Sequence, residues 1–286
     1  MLQAPHPAQL QCGRHVFSLD RPRVMGIVNV TRDSFSDGGR FFEPGRAIEH
    51  GLHLIEAGAD LLDIGAESTR PGAAPVPEAE EIDRLLPVVE GLRDAGVALS
   101  VDTMKPGVMR AALAAGADMI NDVNAMRAPG AWDAVAGSNC GLCLMHMRGT
   151  PRDMQDAPEY RDALAEVGAF LAERRAEAAR RGVADARLLI DPGFGFGKTL
   201  AHNVALFRGL EELGRVAPVL VGVSRKSMLG QICGRPVDGR LAASVTAALL
   251  AAQAGAAVLR VHDVAETVDA LKVWQALRKD KEEWEE

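Results

Sequence analysis

The sequence predicts an α/β chain closed into a single parallel barrel, and three observations predict it. Eight short apolar runs each break off into polar residues, at Asn29, Asp63, Asp102, Asn121-Asp122, His146, Asp191, Ser224 and Arg260-Val261-His262. Successive breaks lie about one strand plus one returning helix apart, and eight such units close a (β/α)8 TIM barrel. The runs are continuously apolar rather than alternating, as strands covered on both faces require. In such a barrel every run end reaches one rim, so polar groups scattered along the chain converge on one pocket.

Taken in order, the strands are expected at 24–30, 61–65, 97–102, 119–122, 140–145, 187–191, 219–223 and 257–261. Helical spacing fills the intervals, with Ile48, Leu52 and Ile55, then Ile82, Leu85 and Val89, later Leu164, Val167 and Leu171, and Leu206, Leu210 and Leu213 each on one face. Gly58, Gly96, Gly116, Gly182 and Gly255 stand just before the next strand, where a left-handed C-cap residue ends a helix. Residues 1–21 fall outside the eightfold pattern and form a short N-terminal extension, with 16–19 as a strand covering the barrel bottom. Residues 22–280 make the barrel, and 281–286 are a charged C-terminal tail.

A chain of 286 residues has room for two domains, but barrels of about 250 residues form one. With 48% apolar and 25% charged residues, it can build a full core. The net charge of -7 argues against a general nucleic-acid binder, though not against a local cationic pocket. No charged n-region followed by an apolar stretch opens the chain, and the small-residue run 241–252 is shorter than the ~20 residues that span a bilayer. The expectation is a cytoplasmic protein without a membrane partner, with 241–252 as a buried or interface helix. Cys140 and Cys143, three apart on a strand, point to opposite faces, and Cys12 and Cys233 offer no second pair at zinc spacing. They are read as plain thiols.

The segment from Asp191 to Thr199 ends like a phosphate loop in Gly197-Lys198-Thr199, yet Pro192 stands where that pattern needs glycine. Its close glycines instead let backbone approach a flat ligand, with Phe194 or Phe196 supplying a ring. Asp102 and Asp191 end strands with Asn121 between them; two such carboxylates can be metal ligands, an acid/base pair, or a fork for the parallel donors of a heterocycle such as a pterin. Cations gather after strands two, seven and eight, as Arg70, as Arg225 and Lys226, and as Arg260 with His262. The last two strands of a barrel are a frequent phosphate site, and a guanidinium can also lie flat on a ring. His146 and His202 are read as structural, and His50 and His53 as surface residues.

These motifs resemble the dihydropteroate synthase family. The resemblance runs through Met25-Gly26-Ile27-Val28-Asn29-Val30-Thr31-Arg32-Asp33-Ser34-Phe35-Ser36-Asp37-Gly38-Gly39 and Glu67-Ser68-Thr69-Arg70-Pro71-Gly72, then Asp102, Asn121 and His146, the 191–203 segment, Ser224-Arg225-Lys226-Ser227 and Arg260-Val261-His262-Asp263. It implies a homodimeric, Mg²⁺-dependent transferase that joins a dihydropterin pyrophosphate to para-aminobenzoate and is inhibited by sulfonamides. By matching position it implies that Asp102, Asn121, Asp191 and Lys226 hold the pterin edge while Arg260 stacks on its ring. It gives pyrophosphate to Asn29, Arg70 and His262, with Asn29 also reaching the metal, and aminobenzoate to Thr69, Phe196 and Ser227. It further implies that Asp102, Arg70, Lys226 and His262 carry the catalysis.

Two positions depart from the family's pattern: Arg32 replaces a usual proline, and Ala66 a usual glycine. Arg32 frees a backbone φ that proline would fix. Two rival readings are a pterin-dependent methyltransferase, which needs no pyrophosphate site, and an idle pterin binder, which would have lost loop residues such as Asp33, Ser34, Thr69 and Arg70.

Overall fold

The computed structural model describes residues 9–30, 44–68, 72–150, 153–154 and 158–278. A hairpin of β1 (Gln9–Cys12) and β2 (His15–Ser18) opens it. Alternation then begins with β3 (Arg23–Asn29), α1 (Pro44–Glu56), β4 (Leu61–Gly65), α2 (Glu78–Leu92), β5 (Ala98–Asp102), α3 (Pro106–Ala115) and β6 (Met119–Asp122). It continues with α4 (Ala131–Val135), β7 (Gly141–Met145), α5 (Ala163–Arg180), β8 (Leu188–Asp191), α6 (Leu200–Arg208), α7 (Leu210–Leu213) and β9 (Leu220–Val221). The last elements are α8 (Ser227–Cys233), α9 (Leu241–Gln253), β10 (Val258–Val261) and α10 (Val264–Ala276). Strands β3 to β10 form one eight-stranded sheet in the order β8-β7-β6-β5-β4-β3-β10-β9, and an Ile190–Val219 parallel bridge joins its two ends. The expected (β/α)8 barrel is the observed fold.

Each expected strand falls within two residues of an observed one. The seventh is the shortest, because its ladder to β10 ends at Val221 and the chain turns at Val223, whose carbonyl accepts from the Lys226 amide. All five glycines expected to cap helices adopt positive φ, between 78° and 111°.

Side chains alternate in and out along each strand, so one register fixes every layer of the interior. Met25, Leu61, Ala98, Met119, Cys143, Leu189, Leu220 and Val258, one from each strand, fuse into a single buried cluster. Leu10 and Cys12 of β1 enter that cluster from below, so the N-terminal hairpin plugs the barrel bottom. Cys140 instead lies in the outer core between barrel and helices, so Cys140 and Cys143 do face opposite ways.

The hairpin is latched by a buried acid. Asp118, 1% exposed, accepts hydrogen bonds from the Leu99 amide at 3.1 Å, the Arg14 amide at 3.1 Å, and the Arg14 Nε and Nη2 at 2.9 Å each. No helix among the described residues is long and apolar enough to cross a membrane. Helix α9 buries Ser244, Ala247, Ala248, Ala251 and Ala252 and exposes Leu241 and Leu250, so the small-residue run has one packed face and one open one. His50 departs from its expected surface position: it is half buried, because its ring hydrogen-bonds the Ile27 backbone, while His53 is exposed. The Asp118→Ala variant, which strands two amides and a guanidinium at the barrel bottom, should lose about 2–4 kcal/mol in urea unfolding while the folded fraction retains its activity.

Candidate active site

Two residues beyond the apolar bottom layer, the same inward phase brings Asp63, Ser100, Asn121, Met145, Asp191 and Arg260 into the barrel, and beyond those Asn29, Asp102, Ser224 and His262. The interior changes from hydrocarbon to polar or charged side chains within one step along five of the eight strands. Burying these charges requires that they satisfy one another.

They do so around Arg260. Its Nε donates to Asp63 Oδ2 at 2.6 Å and its Nη2 to Asp102 Oδ2 at 3.1 Å. Asn121 Nδ2 donates to the same Asp63 oxygen at 3.0 Å. Three strands are thereby tied to β10, and the guanidinium plane is fixed by its edges, which leaves its face for a flat partner. Asp63 is fully buried, and its Oδ1 has no hydrogen-bond partner among the described residues. Burial opposes the Arg260 charge, but Asp63 and Asp102 outweigh it and raise its pKa.

Across the mouth, Asp191 Oδ1 accepts from the Gly193 amide at 2.7 Å, and Lys226 is the opposing charge that acts on it most strongly. Lys226 Nζ donates to the Phe194 carbonyl at 2.6 Å and lies 4.8 Å from the Phe196 ring centroid. Burial lowers the Lys226 pKa to about 8, with Asp191 acting against it, and burial raises both Asp191 and Asp102, with Lys226 and Arg260 respectively opposing. Arg260 acts on Asp63, Asp102 and Asp191, and Lys226 and the buried Lys198 also act on Asp191; with Asp63 Oδ1 unpaired among the described residues, the pocket keeps acceptor capacity suited to a ligand edge rich in N–H groups. Val123, Met145, Met147 and Met154 form an adjoining apolar wall on which Met104 and Phe196 pack.

The loop after β8 is shaped by backbone rather than side chains. Gly193 has φ +69°, and a Cβ there would stand 1.9 Å from the His146 carbonyl oxygen, so only glycine fits. Lys198 underpins this loop: its Nζ donates to the carbonyls of Gly193 and Phe196, each at 2.9 Å, and of His146 at 3.3 Å, and lies 3.0 Å from His146 Nδ1. Burial lowers Lys198 to about 7 and His146 to about 3, so His146 is neutral beside the ammonium. The lysine that gave the segment its phosphate-loop look is therefore structural, and so are His146 and His202, the latter closing a capping box with Thr199 on α6. Of the two candidate rings, Phe194 is fully buried and packs 5.9 Å from Phe207, which leaves Phe196 as the ring at the site.

Just past β10, His262 is oriented by Ser224, whose Oγ lies 3.2 Å from the His262 amide and 3.0 Å from Nδ1. With Oγ accepting from the amide and donating to Nδ1, the ring proton is assigned to Nε2. Arg225 turns away, with φ +58° and a bidentate pair to Asp263, so of the two adjacent cations only Lys226 serves the pocket. Asn29 stands at the end of β3 beside Gly65, and the exposed Ser227 opens α8 next to Lys226. Ala66 is fully buried with its methyl in the outer core and its carbonyl held by Arg84 at 3.2 Å, so this departure is accommodated by packing. Thr69, Arg70 and Arg32 lie outside the described residues. Sequence reasoning gave no role to Asp63 or Ser224; a lone carboxylate inside the apolar run Leu61-Leu62-Asp63-Ile64 was the available signal, since it demands a buried cation.

The family model described as "Pterin binding enzyme" matches residues 25–262. A dihydropteroate synthase from Escherichia coli K12 is 48% identical over 266 residues, 92% of this chain and 94% of the relative. The solved structure of Xanthomonas albilineans dihydropteroate synthase with 4-aminobenzoic acid superposes with a TM-score of 0.90 at 57% identity, covering 96% of this chain and 99% of that one. The Yersinia pestis dihydropteroate synthase in complex with a sulfonamide drug does so with a TM-score of 0.89 at 47% identity, covering 94% and 99%. The barrel, the acid-and-amide pocket and these matches agree: the chain belongs to the dihydropteroate synthase family of pterin-binding enzymes.

Proposed function

We propose that this chain is a transferase that condenses 6-hydroxymethyl-7,8-dihydropterin pyrophosphate with para-aminobenzoate, yielding 7,8-dihydropteroate and pyrophosphate for folate synthesis. The observation that carries this reading is the buried set of three carboxylates and Asn121 around Arg260. A pterin presents an amino group and ring N–H groups as parallel donors, which Asp102 and Asp191 accept, while Asn121 supplies both donor and acceptor and Lys226 donates to a ring acceptor. Arg260, its edges engaged by Asp63 and Asp102, stacks its face on the bicycle. Asn29, Arg70 and His262 take the pyrophosphate, His262 through its Nε2 proton, and Thr69, Phe196 and Ser227 hold the aminobenzoate.

The reaction runs dissociatively. As the C–O bond breaks, negative charge grows on the departing pyrophosphate, where Arg70 and His262 stabilise it. The electron-rich dihydropterin delocalises the cation left behind, and Asp102 stabilises it electrostatically. The arylamine then attacks, its nitrogen forming the new C–N bond and releasing a proton to the departed pyrophosphate. The two loops spanning 31–40 and 66–77 exclude water, which would otherwise capture the cation.

Among the described residues no three His, Cys, Asp or Glu side chains gather into a metal cluster. The single amide oxygen of Asn29 suits Mg²⁺, which keeps several waters and binds through one or two protein oxygens plus substrate phosphates. When bound, Mg²⁺ would neutralise pyrophosphate charge. Sulfonamides, as arylamine mimics, compete at the aminobenzoate end, in keeping with the Yersinia complex. Ile232, Val237, Leu241 and Leu250, all 42–58% exposed on and between α8 and α9, offer an apolar face for a homodimer. The buried free thiols of Cys12, Cys140 and Cys143 suit a cytoplasmic location.

Purified protein supplied with the dihydropterin pyrophosphate, Mg²⁺ and para-aminobenzoate should release pyrophosphate at a rate that falls to background when the arylamine is left out. Silence from folded protein would favour an idle binder. A second prediction concerns pH. Lys226 must be an ammonium to donate and loses its proton near pH 8, so the rate should fall as pH rises through about 8. Asp102 must be a carboxylate to accept, and its raised pKa makes the rate fall on the acid side as well. In initial-rate profiles Lys226→Arg should push the alkaline limb to higher pH, and a limb that stays in place would remove Lys226 from the pterin edge.

A further inference from the structure

A strained turn lies beside the site. The Lys226 amide donates to the Val223 carbonyl at 3.1 Å, closing a four-residue turn whose third residue, Arg225, has φ +58°. Glycine or asparagine usually takes such a place, because a Cβ crowds the backbone at positive φ. An arginine held there needs support from outside the turn.

Three contacts supply it, one on each part of the residue. The Arg225 amide donates to the buried Ser244 Oγ at 3.0 Å, and its carbonyl accepts from Arg240 Nη1 at 2.8 Å. Ser244 Oγ also donates to the Arg240 carbonyl at 2.7 Å, so both backbone contacts come from the N-terminal end of α9. Arg240 reaches the turn across Gly230 of α8, where any side chain would collide with its guanidinium. The Arg225 guanidinium itself pairs with both oxygens of Asp263, Nε to Oδ2 at 3.2 Å and Nη2 to Oδ1.

The neighbours of Arg225 on both sides reach the site. Ser224 Oγ orients His262, which adjoins Asp263, and Lys226 Nζ meets the Phe194 carbonyl and the Phe196 ring. Along an extended strand Ser224 and Lys226 would point the same way, about 7 Å apart. The left-handed residue between them bends the chain instead, so that Lys226 opens α8 and its side chain crosses to the loop after β8. The Arg225–Asp263 pair thus fastens the Lys226 segment to the His262 segment a second time, beside Ser224.

We propose that Arg225 is a positioning residue: clamped in its left-handed conformation by Ser244, Arg240 and Asp263, it keeps Lys226 at the pterin edge and His262 at the pyrophosphate end in one fixed relation. What Lys226 and His262 hold rests on the synthase reading given above. The clamp needs a planar fork, since a lysine ammonium is a point charge that cannot engage both Asp263 oxygens side by side.

The full chain and three variants test this. Arg225→Asn tolerates positive φ, and joined with Asp263→Asn it removes the pair without changing net charge or leaving a lone carboxylate. Arg225→Lys keeps the charge and loses the fork, and Ser244→Ala removes one backbone contact. Trace acetylation of Lys226 across pH, read by mass spectrometry, follows its amine without any ligand. Burial lowers that amine to about 8 in the parent, with Asp191, Arg260 and Asp102 as its charged neighbours, and no variant alters those three. In the double variant and in Arg225→Lys the amine reaches water and should titrate about one pH unit higher or more, with Ser244→Ala moving the same way by less. The alkaline limb of kcat/KM for the dihydropterin substrate should move with it, and affinity for a pterin analogue should fall about tenfold. Unchanged Lys226 titration and pterin affinity in folded variants would overturn the proposal and leave the pair a mere stabiliser. Full retention by Arg225→Lys would overturn it as well, because charge alone would then suffice. A parent that releases no pyrophosphate while Lys226 labelling shifts as stated would sink the functional reading and leave the positioning role standing.

Discussion

The Arg260 guanidinium between Asp63 and Asp102 is the contact on which the rest of the pocket depends. A lone arginine inside a barrel is untenable, and so are two neighbouring carboxylates; together they form a planar, edge-satisfied unit that spans from β10 to β4 and β5. Asn121 joins it through Asp63, so the orientation of its side-chain amide is inherited from the same ion cluster. The pocket is preorganised in the sense that matters for catalysis, because its dipoles and charges are set by protein contacts before a substrate arrives.

That unit is affordable only because of what lies beneath it. The eight-residue hydrocarbon layer, with Leu10 and Cys12 pressed in from the hairpin, closes the barrel bottom, and the charges begin one inward position higher on the strands. Burial raises the carboxyl groups of Asp102 and Asp191, with Arg260 and Lys226 respectively opposing it.

The barrel was legible because strand and helix periods are local properties: runs such as Leu61–Gly65 and Met119–Asp122 appear in the sequence at their observed bounds. The inward-facing acids and the amide were legible for the same reason, since strand phase decides which side chain enters the barrel. Pairings across it were not. Nothing near Asp63 in the chain announces Arg260, 197 residues away, and nothing near Ser224 announces His262. His50 was read as a surface residue because helical phase does not reveal a hydrogen bond to a neighbouring strand. Pro192 already argued against the phosphate-loop look that Lys198 lends its segment, but the three carbonyls that consume its charge are invisible in the sequence.

The central claim is that Asp63 acts on the ligand through Arg260, and a double-mutant cycle measures it most directly. Pterin-analogue affinity would be determined by calorimetry for the parent, Asp63→Asn, Arg260→Met and the double variant. The account predicts strong coupling, about 1.5 kcal/mol or more, with the second substitution costing little once the first is made. Losses that simply add would mean that the two side chains serve the ligand independently, and would contradict it.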